Sequence, residues 1–426
     1  MNQHNLAIGF ARLSDCAVLT VAKERGLFEK YNLNVTLKRY KSWAAMRDGL
    51  ANKVIDAANM LAPMVVASAA GISPYPEIFT SSFAFNLNGN AITVSNALFQ
   101  SMQHISPDTM LRRPLSAHGL KHVVDVRKAT GQPKLVFAHV YHYSMHAYIL
   151  KYWLASAGID PDQDVELVVI PPSQMVDSLR AGQIDGYCVG EPWNNTAVLA
   201  GLGHTLITSS EIWSGHIEKV LAVRHSWANQ HEDIHLALIK ALLEAAVWVD
   251  SPNNRLTAAQ MIASAEYVDA PLDEIVSSLT GKNRQTGGNL RQDMPDFNVF
   301  HRYAANFPWI SQAKWILTQM VRWGQLTDDV EFDAAASSAF QPEIYRKAAA
   351  ELNIAAPTIN EKVEGAQEHA WVLKEATQPI AMGANQFIDG RVFNPAEINS
   401  YLNGFSNSSA SRASEASKTD IEVQLN

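Results

Sequence analysis

The feature that most constrains this chain is a repeated alternation of short apolar runs with longer amphipathic ones. Residues 6–10 (Leu-Ala-Ile-Gly-Phe) read as a strand, and residues 17–25 as a helix closed by Gly26. Asn34-Val35-Thr36-Leu37 is a second strand, residues 43–52 a second helix and residues 54–58 a third strand. Strand–helix–strand order calls for a mainly parallel sheet with helices on its faces. A second series begins at residues 90–94. Strands over 134–137, 165–170 and 184–189 alternate there with helices over 145–157 and 173–181. Two such series predict two α/β lobes, and a cleft between lobes is where a small molecule is held and buried by hinge closure.

From about Glu218 onward the pattern turns helical, over residues 234–249, 256–265, 312–323 and 344–352. Within 312–323, Trp315, Ile316, Met320 and Val321 fall near one face, as a packed helix requires. Residues 281–296 are rich in turn formers and read as a loop. Residues 406–426, dominated by Ser, Asn and charged side chains, are expected to be disordered. A chain of 426 residues exceeds what one hydrophobic core serves. The expected division is 1–88 plus 215–405 for one lobe with its C-terminal helices, and 89–214 for the other.

Composition narrows the function. Thirty-four Lys and Arg against 42 Asp and Glu leave a net charge of −8, which disfavours nucleic acid as a direct partner. A closed pocket makes its own local potential, so a small anion is compatible with an acidic surface. Met1-Asn2-Gln3-His4-Asn5 carries no cationic leader region, and the apolar stretch 61–71, interrupted by Pro63 and Ser68, is about half a membrane span. Two cysteines, Cys16 and Cys188, cannot build a disulfide framework and suit a reducing compartment. These features predict a cytoplasmic protein. No Gly-x-Ser-x-Gly, phosphate loop or Gly-x-Gly-x-x-Gly follows a strand, and Asp56, Asp185 and Glu191 near strand ends are not marked as an acid/base pair, so an enzyme is not expected.

Four positions could carry ligand chemistry. His146 follows a strand and opens a helix, where backbone N–H groups favour anions. His142 stands four residues before it, so the two could instead chelate a metal, or either could be a structural histidine. Lys219 precedes a strand; solvated, it has no special role, but turned into a cleft it would supply the unit charge a monovalent anion needs. Trp43 starts a helix, as packing or as a flat aromatic wall.

A set of longer motifs carries a resemblance. Gly26-Leu27-Phe28, Ser42-Trp43, Leu61-Ala62-Pro63-Met64, Asn88-Gly89-Asn90-Ala91-Ile92, Lys151-Tyr152-Trp153-Leu154-Ala155, Ile170-Pro171-Pro172-Ser173-Gln174-Met175 and Cys188-Val189-Gly190-Glu191-Pro192-Trp193-Asn194 resemble the nitrate/bicarbonate-binding proteins of cyanobacterial-type ABC transporters. The similarity runs from about Leu6 to about Leu352. It implies an α/β, type II periplasmic-binding-protein fold with a helical C-terminal extension, no enzymatic activity, no cofactor and no metal. It also implies an oxyanion (nitrate, nitrite or bicarbonate) in the cleft, facing Trp43, Asn90, His146 and Lys219. Where transport receptors often carry small residues before the histidine, this chain has Tyr143-Ser144-Met145.

With the opening residues read as leaderless, the chain is similar to the cytosolic nitrate/nitrite sensors of bacterial nitrate-assimilation operons. That likeness implies a protein partner, a two-component-type (NasT-like) RNA-binding antiterminator released when ligand binds. Two rival readings are the receptor of a nitrate or bicarbonate transporter, and a pyrimidine-precursor synthase of the same fold. The synthase would need a cysteine-rich active segment that this chain lacks.

Overall fold

Strands from the two series assemble into two separate five-stranded sheets in a computed structural model, which describes residues 3–282 and 293–405. In the first, Leu33–Tyr40, His4–Ala11 and Ala57–Leu61 run parallel, as the strand–helix alternation requires. Lys219–Arg224 then pairs antiparallel with Ala57–Leu61, and Phe79–Thr80 closes the edge. In the second, Val165–Val169, Leu135–His139 and Gly186–Gly190 are parallel, Asn90–Ser95 is antiparallel to Gly186–Gly190, and Gly203–Thr208 forms the edge. The chain therefore crosses between lobes twice, through residues 81–89 and 209–218. In each sheet the first strand after a crossing, Asn90–Ser95 or Lys219–Arg224, runs against its central neighbour.

The two central strands, Ala57–Leu61 and Gly186–Gly190, are buried at every position, which is why they read as continuous apolar runs rather than alternating ones. Both are entered through the same device. Asp56 Oδ2 accepts from Ala7 N at 2.9 Å, and Asp185 Oδ2 accepts from Val136 N at 2.8 Å, each on a neighbouring parallel strand. These carboxylates tie strand ends together. Glu191 likewise accepts from Asn195 N at 3.1 Å, and burial raises its pKa to about 8.

The predicted helices form with shifted ends: Glu232–Asp250, Arg255–Ile262, Ile310–Arg322 and Pro342–Glu351. Ile310–Arg322 is buried along its whole length, on its polar face as well as its apolar one. Residues 353–405 explain this, because they wrap the polar face and pair several of its side chains. Ser311 donates to Glu364 at 2.8 Å, Lys314 pairs with Glu361 at 2.7 Å, and Trp315 Nε1 donates to Tyr401 Oη at 2.9 Å. This wrap carries one short hairpin, Trp371–Leu373 with Ile380–Met382, and one short helix, Ile398–Asn403. Its Phe387 stacks on Trp213 of the second crossing, with ring centroids 4.7 Å apart, and packs on Tyr152 of the second lobe at 5.5 Å. The wrap therefore fastens both lobes and a crossing segment. Most of the predicted loop, residues 283–292, and the predicted disordered tail, 406–426, lie outside the described residues.

Candidate functional site

Where the two crossings end, one lysine is sealed between the lobes. Lys219 begins its strand opposite Leu61, and its side chain is 0% exposed. Nζ lies 2.9 Å from Asp15 Oδ2 and 2.8 Å from Glu218 Oε1. Burial works against the ammonium, but Asp15 and Glu218 outweigh it and its pKa ends above the ordinary lysine value. Asp15 comes from the single turn Ser14–Cys16 at the end of the first strand, and Asn59 on the central strand supports it at 3.4 Å.

Three other predicted residues meet this lysine. Trp43 is the first residue of helix Trp43–Ala51, placed by the Ser42 hydroxyl, which accepts from Ala45 N at 3.2 Å. Its ring centre is 5.4 Å from Lys219 Nζ, a cation–π distance. Asn90 opens the strand of the opposite lobe and donates from Nδ2 to Glu218 Oε2 at 2.6 Å. Gly190 is its strand partner. A side-chain carbon at that glycine would come within 3.3 Å of both Asn90 Oδ1 and Leu13, so glycine there keeps room beside the site.

His146 sits in the first turn of helix Met145–Ser156, whose N-cap Ser144 accepts from Ala147 N at 3.1 Å. Its Nδ1 stands 3.4 Å from Glu218 Oε1. That approach is not an ion pair: burial first, then Lys219, holds the imidazole pKa well below its ordinary value, and the ring is neutral. The helix N-terminus adds positive potential of the same sense.

The metal-chelate reading of His142 and His146 fails on geometry. The helix starts at Met145, so the pair does not share a helical face. His142 is exposed before the cap, whereas His146 is fully buried in the interlobe site. His142 packs instead near His139, with ring centres 5.7 Å apart.

Trp43 Nε1, Asn90 Oδ1 and both ring nitrogens of His146 are buried without a hydrogen-bond partner among the described residues. Buried polar atoms are normally paired, so several orphans gathered around one buried ammonium mark a place built to meet something polar. The lobes are shut over it. Ser14 N donates to Glu191 O at 2.8 Å, Trp193 Nε1 to Arg12 O at 3.2 Å, and Arg47 to the Tyr141 hydroxyl at 2.8 Å, each across the cleft.

Sequence reasoning missed two members of the site, Asp15 and Glu218. Neighbours in a strand point to opposite faces, so Glu218 is not expected beside Lys219. It lies before the strand starts, in a crossing segment whose backbone bonds to Asn86 O and Ala62 N, and there both side chains reach the same place. The charged pair Glu218-Lys219 was visible in the sequence; its convergence was not.

Two lobes joined by two crossings, with a buried polar cluster between them, define the fold as that of the periplasmic-binding-protein class. The chain belongs to the NMT1-like family, whose profile matches residues 1–263, and within it to the nitrate/bicarbonate-binding proteins. It is 32% identical over 410 residues to the nitrate/nitrite binding protein NrtA of Synechococcus elongatus, covering 94% of this chain and 85% of that one. It is 39% identical over 329 residues to the nitrate import ATP-binding protein NrtC of Synechocystis, covering 76% of this chain and 46% of that one. The chain spans about half the length of the first curated relatives it matches. The crystal structure of the periplasmic nitrate-binding protein NrtA from Synechocystis superimposes with a TM-score of 0.82 at 25% identity, covering 95% of this chain and 99% of that one.

Proposed function

We propose that this protein binds nitrate or nitrite between its lobes, and that the anion faces Trp43, Asn90, His146 and Lys219. The observation that carries the reading is the set of orphaned polar atoms around one fully buried ammonium. Nitrate is planar and only accepts hydrogen bonds. The donors that suit it are Lys219 Nζ, Trp43 Nε1, Asn90 Nδ2 and the protonated nitrogen of a neutral His146. Trp43→Phe keeps the apolar wall and removes one donor, and should weaken nitrate binding by about 1.5–3 kcal/mol, as for a hydrogen bond to a charged group. Calorimetric titration of the variant checks this; unchanged affinity would return Trp43 to a packing role.

The output we propose is regulatory: a cytoplasmic sensor that holds a two-component-type antiterminator in its ligand-free arrangement and lets go on binding nitrate or nitrite. Support for it is the pair of buried free thiols, Cys16 and Cys188, which suit a reducing compartment. Ligand shifts a partner equilibrium only by its differential affinity for two states. Coupling of about 1–3 kcal/mol would weaken the partner complex roughly 5–150-fold, and the partner would weaken nitrate binding equally. Co-purification with the antiterminator, with and without nitrate, tests this.

A complex that never forms, or one indifferent to nitrate and nitrite, would favour a second reading, the substrate-binding receptor of a nitrate or bicarbonate transporter. That reading is supported by the relatives' names, nitrate import ATP-binding protein and bicarbonate transport ATP-binding protein.

A further inference from the structure

Both carboxylate oxygens of Glu218 hold donors that a bound anion would need. Oε1 accepts from Lys219 Nζ at 2.8 Å and stands 3.4 Å from His146 Nδ1, while Oε2 accepts from Asn90 Nδ2 at 2.6 Å. A carboxylate is itself a planar oxyanion with charge shared over its oxygens, so Glu218 sits in the site as an internal counterpart of the ligand. The charges sharpen the conflict. With Lys219 at +1, Asp15 and Glu218 each at −1 and His146 neutral, the cluster carries −1 before any ligand arrives, and a monovalent anion would make it −2. The side chains of Lys219, Glu218 and His146 are at most 1% exposed, and burying such a charge unpaired is strongly unfavourable.

We infer that Glu218 is a proton-linked specificity residue: a monovalent oxyanion enters this site together with one proton, which Glu218 takes up as it yields Lys219 and Asn90 to the ligand. The inference rests on the reading of the cluster as an anion site. The proton comes from solvent and forms an O–H bond on a Glu218 carboxylate oxygen; no other covalent bond changes. The new hydroxyl can donate to Asn90 Oδ1, which lacks a partner among the described residues, while Nζ and Nδ2 turn to the anion. The titratable groups around Glu218 are Lys219 beside it, Asp15 from the turn after the first strand, His146 from helix Met145–Ser156, Cys188 from strand Gly186–Gly190 and His216 just upstream.

Burial has already raised the Glu218 pKa against the pull of Lys219. Burial and Lys219 lower that of His146, burial lowers that of His216 to about 4, and burial raises the Cys188 thiol. Burial thus favours the protonated form of Glu218 and disfavours the protonated imidazoles of His146 and His216.

Calorimetry of sodium nitrate binding tests this on the full chain, at pH 7 in phosphate and in Tris, whose ionisation heats differ. The inference expects about one proton taken up per nitrate bound, and affinity rising about tenfold for each pH unit lowered between pH 8 and 6. Glu218→Gln keeps the shape and removes the charge. It should bind nitrate at least tenfold tighter than wild type at pH 8, with no proton uptake. Wild-type binding without proton uptake would overturn the inference and leave the anion site standing. So would uptake that persists in Glu218→Gln, since the proton would then belong elsewhere. If neither protein binds nitrate, nitrite or bicarbonate at any of these pH values, the anion-site reading falls, and this inference with it.

Discussion

Lys219→Met is expected to lose nitrate binding and to destabilise the fold together. The ammonium is fully buried between Asp15 and Glu218, so its removal leaves two carboxylates facing each other without a cation. Breaking a buried pair from one side costs about 3–5 kcal/mol of folding stability, because the remaining charge is uncompensated. Anion affinity should fall by roughly 2–5 kcal/mol, as for a desolvated charge pair.

The stability loss has a pH signature. Burial already holds the Glu218 pKa above its ordinary value, and without Lys219 it is driven further up. A carboxyl whose folded pKa exceeds its unfolded one contributes stability that is present below the unfolded pKa and lost as pH rises through the folded pKa. The variant should therefore trail wild type most at neutral and higher pH and recover as the solution is acidified toward the ordinary carboxyl range. Urea denaturation at pH 7.5 and pH 5 reads this out, and equal deficits at both would rule out uncompensated carboxylates as the cause.

Phe387→Ala is expected to cost about 3–5 kcal/mol, the range for emptying an aromatic from a packed core. The ring is 3% exposed and stacks against Trp213, Tyr152 and Trp315, with centroids 4.7, 5.5 and 5.8 Å away. Gly365 allows this approach: a side-chain carbon there would come within 2.5 Å of the Phe387 ring, and its φ of +86° lies in the left-handed region. Tyr152 belongs to the helix that carries His146, so the loss should also loosen that helix relative to the crossing at Trp213. Urea denaturation, with limited proteolysis inside 353–405 as a second readout, checks the expectation. A variant within 1 kcal/mol of wild type would mean that the wrap is held by its other contacts.

Most strands of the two sheets were legible because their apolar runs are short, continuous and separated by helices with clear ends, as at Gly26 after the first helix; the edge strands Phe79–Thr80 and Gly203–Thr208 were not read. The four predicted site residues also meet around Lys219, since each lies at the start of a regular element and short motifs flank it. What stayed hidden depended on meetings between distant segments. Asp15 and Glu218 are 203 positions apart and become partners only through Lys219. Phe387, Trp213 and Trp315 come from three unrelated stretches, and the irregular backbone of the wrap has no periodicity to announce which face is buried. Helix Ile310–Arg322 was read as one-sided for the same reason, because its second partner is that wrap.

A crystal structure of the full chain grown with sodium nitrate tests the central claim most directly, that the cluster at Lys219 is the ligand site. A planar anion should lie between the lobes, accepting hydrogen bonds of about 2.7–3.2 Å from Lys219 Nζ and Asn90 Nδ2, with the Glu218 carboxyl moved off at least one of them. Nitrate seated elsewhere, with Glu218 still holding both donors as it does here, would contradict the account.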